Sequence, residues 1–249
     1  MKKTMFLIYG IVSYALFFGT YCYAVGFVTN LVVPSGLDST PVVSIGKAIA
    51  INIGLLMLFA LQHSVMARPA FKKWWTTIVP EAIERSTYVL MSSICMIALF
   101  IYWQPMGGVI WSFDSGTAYW LLQSVSLLGF VIVLVSTFLI NHFDLFGLRQ
   151  VWLYFTDKPY TQLKFRTPFF YKYVRHPLYL GWMIAFWAAP VMTIAHFLFA
   201  AICTVYRLTA IQLEERDLIT AFGDQYTQYK QHAPMLIPFA KKRNKNEPK

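Results

Sequence analysis

Residues 178–211 read LYLGWMIAFWAAPVMTIAHFLFAAICTVYRLTAI, an apolar run broken by Pro190 and carrying one formal charge, Arg207. At about 1.5 Å of rise per residue the run is too long for one crossing of a hydrocarbon core about 30 Å thick. It therefore predicts a helical hairpin that turns near Ala189-Pro190. The arm before the proline is about a dozen residues, short of a full crossing on its own; such an arm is tolerated where neighbouring helices bury it. Upstream, the segments 5–33, 42–66, 87–103 and 119–140 each read as a membrane span. The expected fold is an all-α integral membrane protein with four transmembrane helices plus a C-terminal hairpin, five to six spans in all.

Composition supports this class. Hydrophobic residues make up 57% of the 249, charged residues 13%, and the mean hydropathy is +0.52. A soluble domain of this size has too little interior for so much apolar surface, and disorder needs the opposite composition. Lys2-Lys3 followed by an apolar run imitates a signal peptide, but the run continues well past Cys22-Tyr23-Ala24, so it reads as an uncleaved anchor. Cys22, Cys95 and Cys203 lie far apart in apolar runs and form no CxxC, which supports neither zinc nor a disulfide framework.

The net charge of +10 follows topology rather than nucleic acid binding. The loops 35–44 and 111–116 and the turn 190–196 contain no Lys or Arg. Of the 21 basic residues, Lys47 alone departs from the opposite side, where Lys2, Lys3, Arg68, Lys72, Lys73, Arg85, six residues from Arg149 to Arg175 and eight from Arg207 onward fall. The positive-inside rule places both termini and the two long polar loops in the cytoplasm. One membrane domain is expected: helices over 1–140, a cytoplasmic site-lining loop over 141–177, the hairpin and its foot over 178–230, and a basic tail over 231–249 whose end, Lys241–Lys249, lies on anionic lipid.

Ionisable groups in or beside membrane spans are candidates for function. Three sets gather at the basic end: Gln62-His63 with Arg68; Asn141-His142-Phe143-Asp144 with Arg149-Gln150; and Arg175-His176-Pro177 with Glu214-Glu215. A hairpin makes the last set neighbours despite its sequence separation. An acidic side chain there suits an ammonium or ribose hydroxyls, an Arg or His suits a carboxylate, and Tyr171 and Tyr179 suit an adenine or a sulfonium. The competing reading is a structural ion pair between a basic and an acidic foot, with Pro177 only starting a helix. For His63 it is an interhelical hydrogen bond, and for Asn141-His142 a cap at the interface. These residues by themselves define a membrane enzyme or binding protein with a polar site at the basic end.

The stretch Tyr171-Lys-Tyr-Val-Arg175-His176-Pro177-Leu178-Tyr179-Leu-Gly181, then Glu214-Glu215, then Phe222-Gly223-Asp-Gln-Tyr226-Thr-Gln-Tyr229, resembles the signature of the isoprenylcysteine carboxyl methyltransferase superfamily. Gln62-His-Ser-Val-Met-Ala-Arg68-Pro69, Glu84-Arg-Ser-Thr-Tyr-Val-Leu90 and Asn141-His-Phe-Asp-Leu-Phe-Gly-Leu-Arg-Gln150 resemble the bacterial methanethiol S-methyltransferases, with NnrU-type membrane proteins sharing some architecture. The resemblance implies S-adenosyl-L-methionine as methyl donor, a small volatile thiol as acceptor, dimethyl sulfide as product, and a multi-pass protein of the bacterial inner membrane. It implies neither metal nor nucleic acid as partner. By position it implies a donor pocket at Tyr171, Arg175, His176, Pro177, Leu178, Tyr179, Gly181, Glu214 and Glu215, with Arg166 from the preceding loop. The prenylcysteine enzymes carry a substrate-side Arg where this chain has Ala210, the nearest Arg being Arg207, which fits an acceptor without a carboxylate.

Methyl transfer to a thiol needs in-line alignment and a thiolate nucleophile. Opposite charges vanish in the transition state, so a dry site between helices favours it. The expected proton acceptor is His142, oriented by Asn141 and Asp144, with His63 as the other candidate and Arg149 as an electrostatic stabiliser. The alternatives are another thiol or a lipid carboxylate as acceptor, an NADPH-dependent membrane reductase, and a non-enzymatic NnrU-type protein.

Overall fold

The structure, a computed structural model, describes residues 1–238; of the expected basic tail, 239–249 lie outside the described residues. The chain is mostly helical: α1 Lys2–Thr29, α2 Ile45–Ala67, α3 Pro69–Trp75, α4 Glu81–Tyr102, β1 Val109–Ser112, α5 Gly116–Ile140, α6 His142–Leu145, α7 Leu148–Phe155, a 3-10 turn Phe169–Lys172, α8 Pro177–Trp187, β2 Val191–Thr193, α9 Ile194–Phe222 and α10 Asp224–His232. Among the described residues five helices, α1, α2, α4, α5 and α9, are long and apolar enough to cross a membrane. The protein is a multi-pass membrane protein.

Side-chain bonds fix how the helices run. Tyr9 donates to Thr87 while Phe27 packs on Trp103, so α1 and α4 run parallel. Tyr14 meets His142 and Gln123 reaches the Thr29 carbonyl, so α1 and α5 run antiparallel. The bundle is inside-out relative to a soluble one. Ile8, Ile11 and Val12 of α1 and Leu121, Leu128 and Val131 of α5 face outward, while Ser13, Ser86, Ser93, Ser126 and Ser136 are buried between helices. Lipid supplies no hydrophobic drive between helices, so small and hydroxyl side chains at the seams bring backbones together. The closest seam is α5–α8: a Cβ on Gly129 would lie 2.5 Å from the Ala185 nitrogen, and one on Gly181 would lie 2.8 Å from the Gly129 carbonyl. Ser126 then donates to the Ala185 carbonyl at 2.7 Å across the same contact.

The hairpin turns where Pro190 predicts. Its first arm, α8, has 11 residues, about 16 Å of helix. The second, α9, has 29 and runs past the apolar stretch to Phe222. Likewise α4 starts at Glu81, earlier than the apolar residues suggest, because Glu81 and Glu84 suit a helix N-terminus. Apolar runs mark the part of a helix in lipid, not where the helix stops.

One departure from an all-helical chain is a two-stranded antiparallel sheet, pairing Trp111 with Met192 and Ser112 with Val191. Backbone leaving a helix inside a membrane protein must find partners, and the extended segment after Pro190 finds them on β1. At this far end His196 Nδ1 lies 2.9 Å from the Asp38 carboxylate, which also accepts from Thr193 and Asn30. Burial pushes the Asp38 carboxyl up, but these hydrogen bonds and the His196 charge hold it below its ordinary value.

Candidate functional site at the foot of the hairpin

At the opposite end, which carries Lys2 and the basic loops, the two feet of the hairpin meet. Pro177 opens α8 with its ring where no amide proton is needed. Arg175 and His176 precede the helix, with their backbone amides donating to the carbonyls of Pro234 and Met235. Glu215, 3% exposed, sits beneath them. Its Oε1 accepts from Arg175 Nε at 2.7 Å and His176 Nε2 at 3.1 Å, and its Oε2 pairs with Lys230 Nζ at 2.6 Å. Arg175 also donates to the carbonyls of Lys230 and Ala233. This is a closed knot joining α8, α9, α10 and the segment after α10.

Glu214, the residue before, points elsewhere. Its side chain is 42% exposed, and its Oε2 accepts from the Tyr179 hydroxyl at 2.7 Å, with His176 Nδ1 at 3.8 Å. Tyr171 is buried beside it, held by Tyr229, whose hydroxyl donates to the Tyr171 carbonyl. Burial, then the Glu214 and Tyr229 charges, push the Tyr171 phenol well above its ordinary value, so it stays protonated. Tyr226 is 2% exposed and its hydroxyl has no hydrogen-bond partner among the described residues. Phe165 packs on Phe222, Tyr226 and Tyr229 at 5.3, 5.9 and 5.5 Å, bringing the loop before the hairpin over its foot. Arg166 beside it is exposed. Leu178 is half-buried at the start of α8, while Gly181 lies in the α5–α8 crossing described above.

The second set is arranged differently from the expectation. His142, 2% exposed, is bonded through Nδ1 to Thr137 and through Nε2 to Tyr14, each at 2.8 Å, and stacks on Phe138 at 4.0 Å. Asn141 instead caps α6 by accepting from the Asp144 amide at 3.3 Å. Asp144 pairs with Arg149 at 2.7 Å, and Arg149 is further engaged by the Thr161 carbonyl and the Tyr160 ring. The orienting groups of His142 are hydroxyls on α1 and α5 rather than Asn141 and Asp144. Short sequence distance misleads here because the turn at Asn141 sends successive side chains to different helices.

The first set lies on the α2–α4–α9 seam. His63 contacts the Tyr88 hydroxyl at 2.9 Å and Ser92 at 3.2 Å, and stacks on Phe59. Ser64 bonds Tyr206 of α9 at 3.0 Å, and Arg68 pairs with Asp217 at 2.9 Å. Lys230, Tyr206 and Tyr88 are neighbours that the sequence did not single out. Only the spacing of Tyr226 and Tyr229 hinted that α10 returns to the foot. Among the described residues no group of three His, Cys, Asp or Glu is placed to hold a metal.

A helical bundle with a partly open carboxylate, buried tyrosines and an orphaned hydroxyl at one end is a membrane protein whose polar cluster has the chemistry to meet a charged ligand. Compared with known proteins, the chain is 54% identical over 244 residues, 98% of its length and 96% of the other's, to a methanethiol S-methyltransferase of Crocosphaera subtropica. It is 48% identical to one of Mycobacterium tuberculosis, covering 96% and 98%. Nurim of Xenopus laevis is 29% identical over 177 residues, 68% of this chain and 62% of Nurim. No family profile and no solved structure matches. The chain belongs to the methanethiol S-methyltransferase family.

Proposed function

We propose that this protein transfers a methyl group from S-adenosyl-L-methionine to methanethiol, giving dimethyl sulfide, at the basic end of a bundle set in the bacterial inner membrane with both termini cytoplasmic. The observation that carries the reading is the full-length identity to enzymes of that name. The donor set at the hairpin foot supports it: Glu214 is oriented by Tyr179 yet open, while Glu215 is consumed by the knot.

The foot suits S-adenosylmethionine on its own chemistry. The Tyr226 hydroxyl is an orphaned buried polar atom, Glu214 offers oxygens to an ammonium or to ribose hydroxyls, and the Tyr171 and Tyr179 rings offer faces to an adenine. Glu214, Tyr179, Tyr171 and Tyr226 would hold the donor, with Arg166 and Leu178 at its margin. Arg175, His176, Pro177 and Glu215 form the frame that keeps Glu214 in place. When bound, the donor supplies an activated methyl on a sulfonium. The protein's part is to align the acceptor, exclude water and take a proton.

For the proton we assign His63 rather than His142. His63, held by Tyr88 and Ser92 of α4, lies within electrostatic reach of Arg207 on α9, whereas His142 is held between α1 and α5. A polar foot at the membrane surface and an apolar interior match the two reactants, one charged and soluble, the other small and lipid-permeant.

The test is direct. Membranes containing the protein, given S-adenosylmethionine and methanethiol, should release dimethyl sulfide into the headspace, with stoichiometric S-adenosylhomocysteine. Donor binding without any dimethyl sulfide would remove methanethiol as the acceptor.

A further inference from the structure

Arg207 lies about 20 Å along α9 from Ile194, inside the apolar part of a spanning helix. An ionised side chain at such depth is costly and ordinarily pairs or serves a function. Among the described residues no carboxylate pairs with it. Its Nη1 donates to the Cys203 carbonyl one turn back at 3.1 Å, and the guanidinium stands 5.3 Å from the Trp182 ring centre and 4.7 Å from that of Phe186. Those rings attract the cation and hold it in place, but they accept no hydrogen bond of ordinary strength. Apart from the Cys203 thiol, which also bonds the guanidinium, the remaining donors of the fork have no acceptor among the described residues.

Its position is specific. Along the α8–α9 seam the rungs are Tyr179 with Glu214, Trp182 with Arg207, and Trp187 with Thr204. Arg207 is two helical turns from Glu214 on the same face, about 10 Å deeper. The Ser64–Tyr206 bond closes α2 against α9, and His63 on α2 lies within electrostatic reach of Arg207. Three other arginines at this end pair with carboxylates: Arg175 with Glu215, Arg149 with Asp144, Arg68 with Asp217.

We infer that Arg207 is the acceptor-binding residue: its open N–H groups hold the methanethiolate sulfur, in the aromatic enclosure of Trp182 and Phe186, beside His63. This rests on the function proposed above. The S–H bond breaks, its proton passing to His63 and its electron pair staying on sulfur. That pair forms the new carbon–sulfur bond while the methyl–sulfonium bond breaks and returns its pair to the donor sulfur, leaving two neutral sulfides. An Arg suits the task because it stays charged in apolar surroundings and so does not itself compete for the proton.

The experiment measures donor affinity by titration and dimethyl sulfide formation against thiol concentration from pH 6 to 9 in reconstituted wild type, Arg207→Met and Arg207→Lys. For Arg207→Met the donor affinity stays within about twofold, while kcat/KM for methanethiol at pH 7 falls about 100-fold, the usual scale for losing one anion-stabilising donor. That deficit narrows as pH rises, because solution then supplies the thiolate. Arg207→Lys keeps the charge and hence a wild-type-shaped pH profile, and it decides the question whether or not the methionine variant folds. A deficit independent of pH in Arg207→Met, a loss of donor affinity, or a lysine variant as inactive as the methionine one overturns the inference alone. A wild-type protein that binds donor but makes no dimethyl sulfide overturns the acceptor assignment and this inference with it.

Discussion

Consecutive glutamates at the end of α9 carry opposite burdens. Glu215 is wrapped by Arg175, His176 and Lys230, while Glu214 accepts from Tyr179 and is otherwise open. Glu215→Ala leaves a buried guanidinium without its counter-charge, a loss of about 3–5 kcal/mol, and should register as a sharp drop in thermal stability. Glu214→Gln should leave the melting temperature nearly unchanged and weaken S-adenosylmethionine binding at least tenfold by titration. Equal melting losses for both would mean the two carboxylates share one structural job. His142 offers a pH test. Burial holds its imidazole below the ordinary value near 6.5. The unfolded chain therefore takes up a proton first, so stability is full above that value and declines as pH falls toward the folded one. His142→Gln should flatten this acid limb in a melting-temperature series between pH 7 and 5; an unaltered limb would assign it to other groups. The sequence revealed that Arg175-His176 and Glu214-Glu215 meet, because a hairpin leaves them no alternative. It did not reveal which glutamate would be consumed, because Lys230 arrives from α10, whose return depends on packing by Phe165 and the tyrosines.

At the scale of elements, the α5–α8 crossing is the least forgiving contact. Gly129 and Gly181 face each other backbone to backbone, leaving no room for a side chain between them. Gly181→Val should force α8 away from α5, carrying His176 and Tyr179 with it, and abolish both folded yield and activity; retention of either would show that α8 has slack. The short first arm and the turn at Pro190 were legible from the length of an apolar run. The β1–β2 pairing was not, since four residues of extended chain give no usable periodicity, and their partner lies about 80 positions away. Asn141 and Asp144 misled for a related reason: proximity along the chain is not proximity to His142, because α6 is a single turn that directs each side chain to a different neighbour.

For the whole molecule, the basic residues of the loops and the N-terminus share one end with the hairpin foot, while the loop around Asp38 and the strand pair occupy the other. On the proposed orientation, a cysteine placed at Thr40 should react with a membrane-impermeant maleimide in intact cells, and one at Lys164 only after permeabilisation. The reverse labelling would invert the protein and put the donor site on the side lacking the donor. The span count was readable because lipid imposes a length on every crossing. The packing order was not, because small seam residues such as Ser86 and Ser126 resemble any other hydroxyl in a sequence.

The 11-residue α8 has a consequence for biogenesis. A segment that short is a poor substrate for stable insertion by itself, so it should wait near the translocon until α9 emerges and enter with it as a pair. Lys230 and Pro234, which complete the ring around Arg175 and Glu215, are synthesised later still. The ring around Arg175 and Glu215 therefore cannot close until α10 and the segment after it have followed both arms of the hairpin.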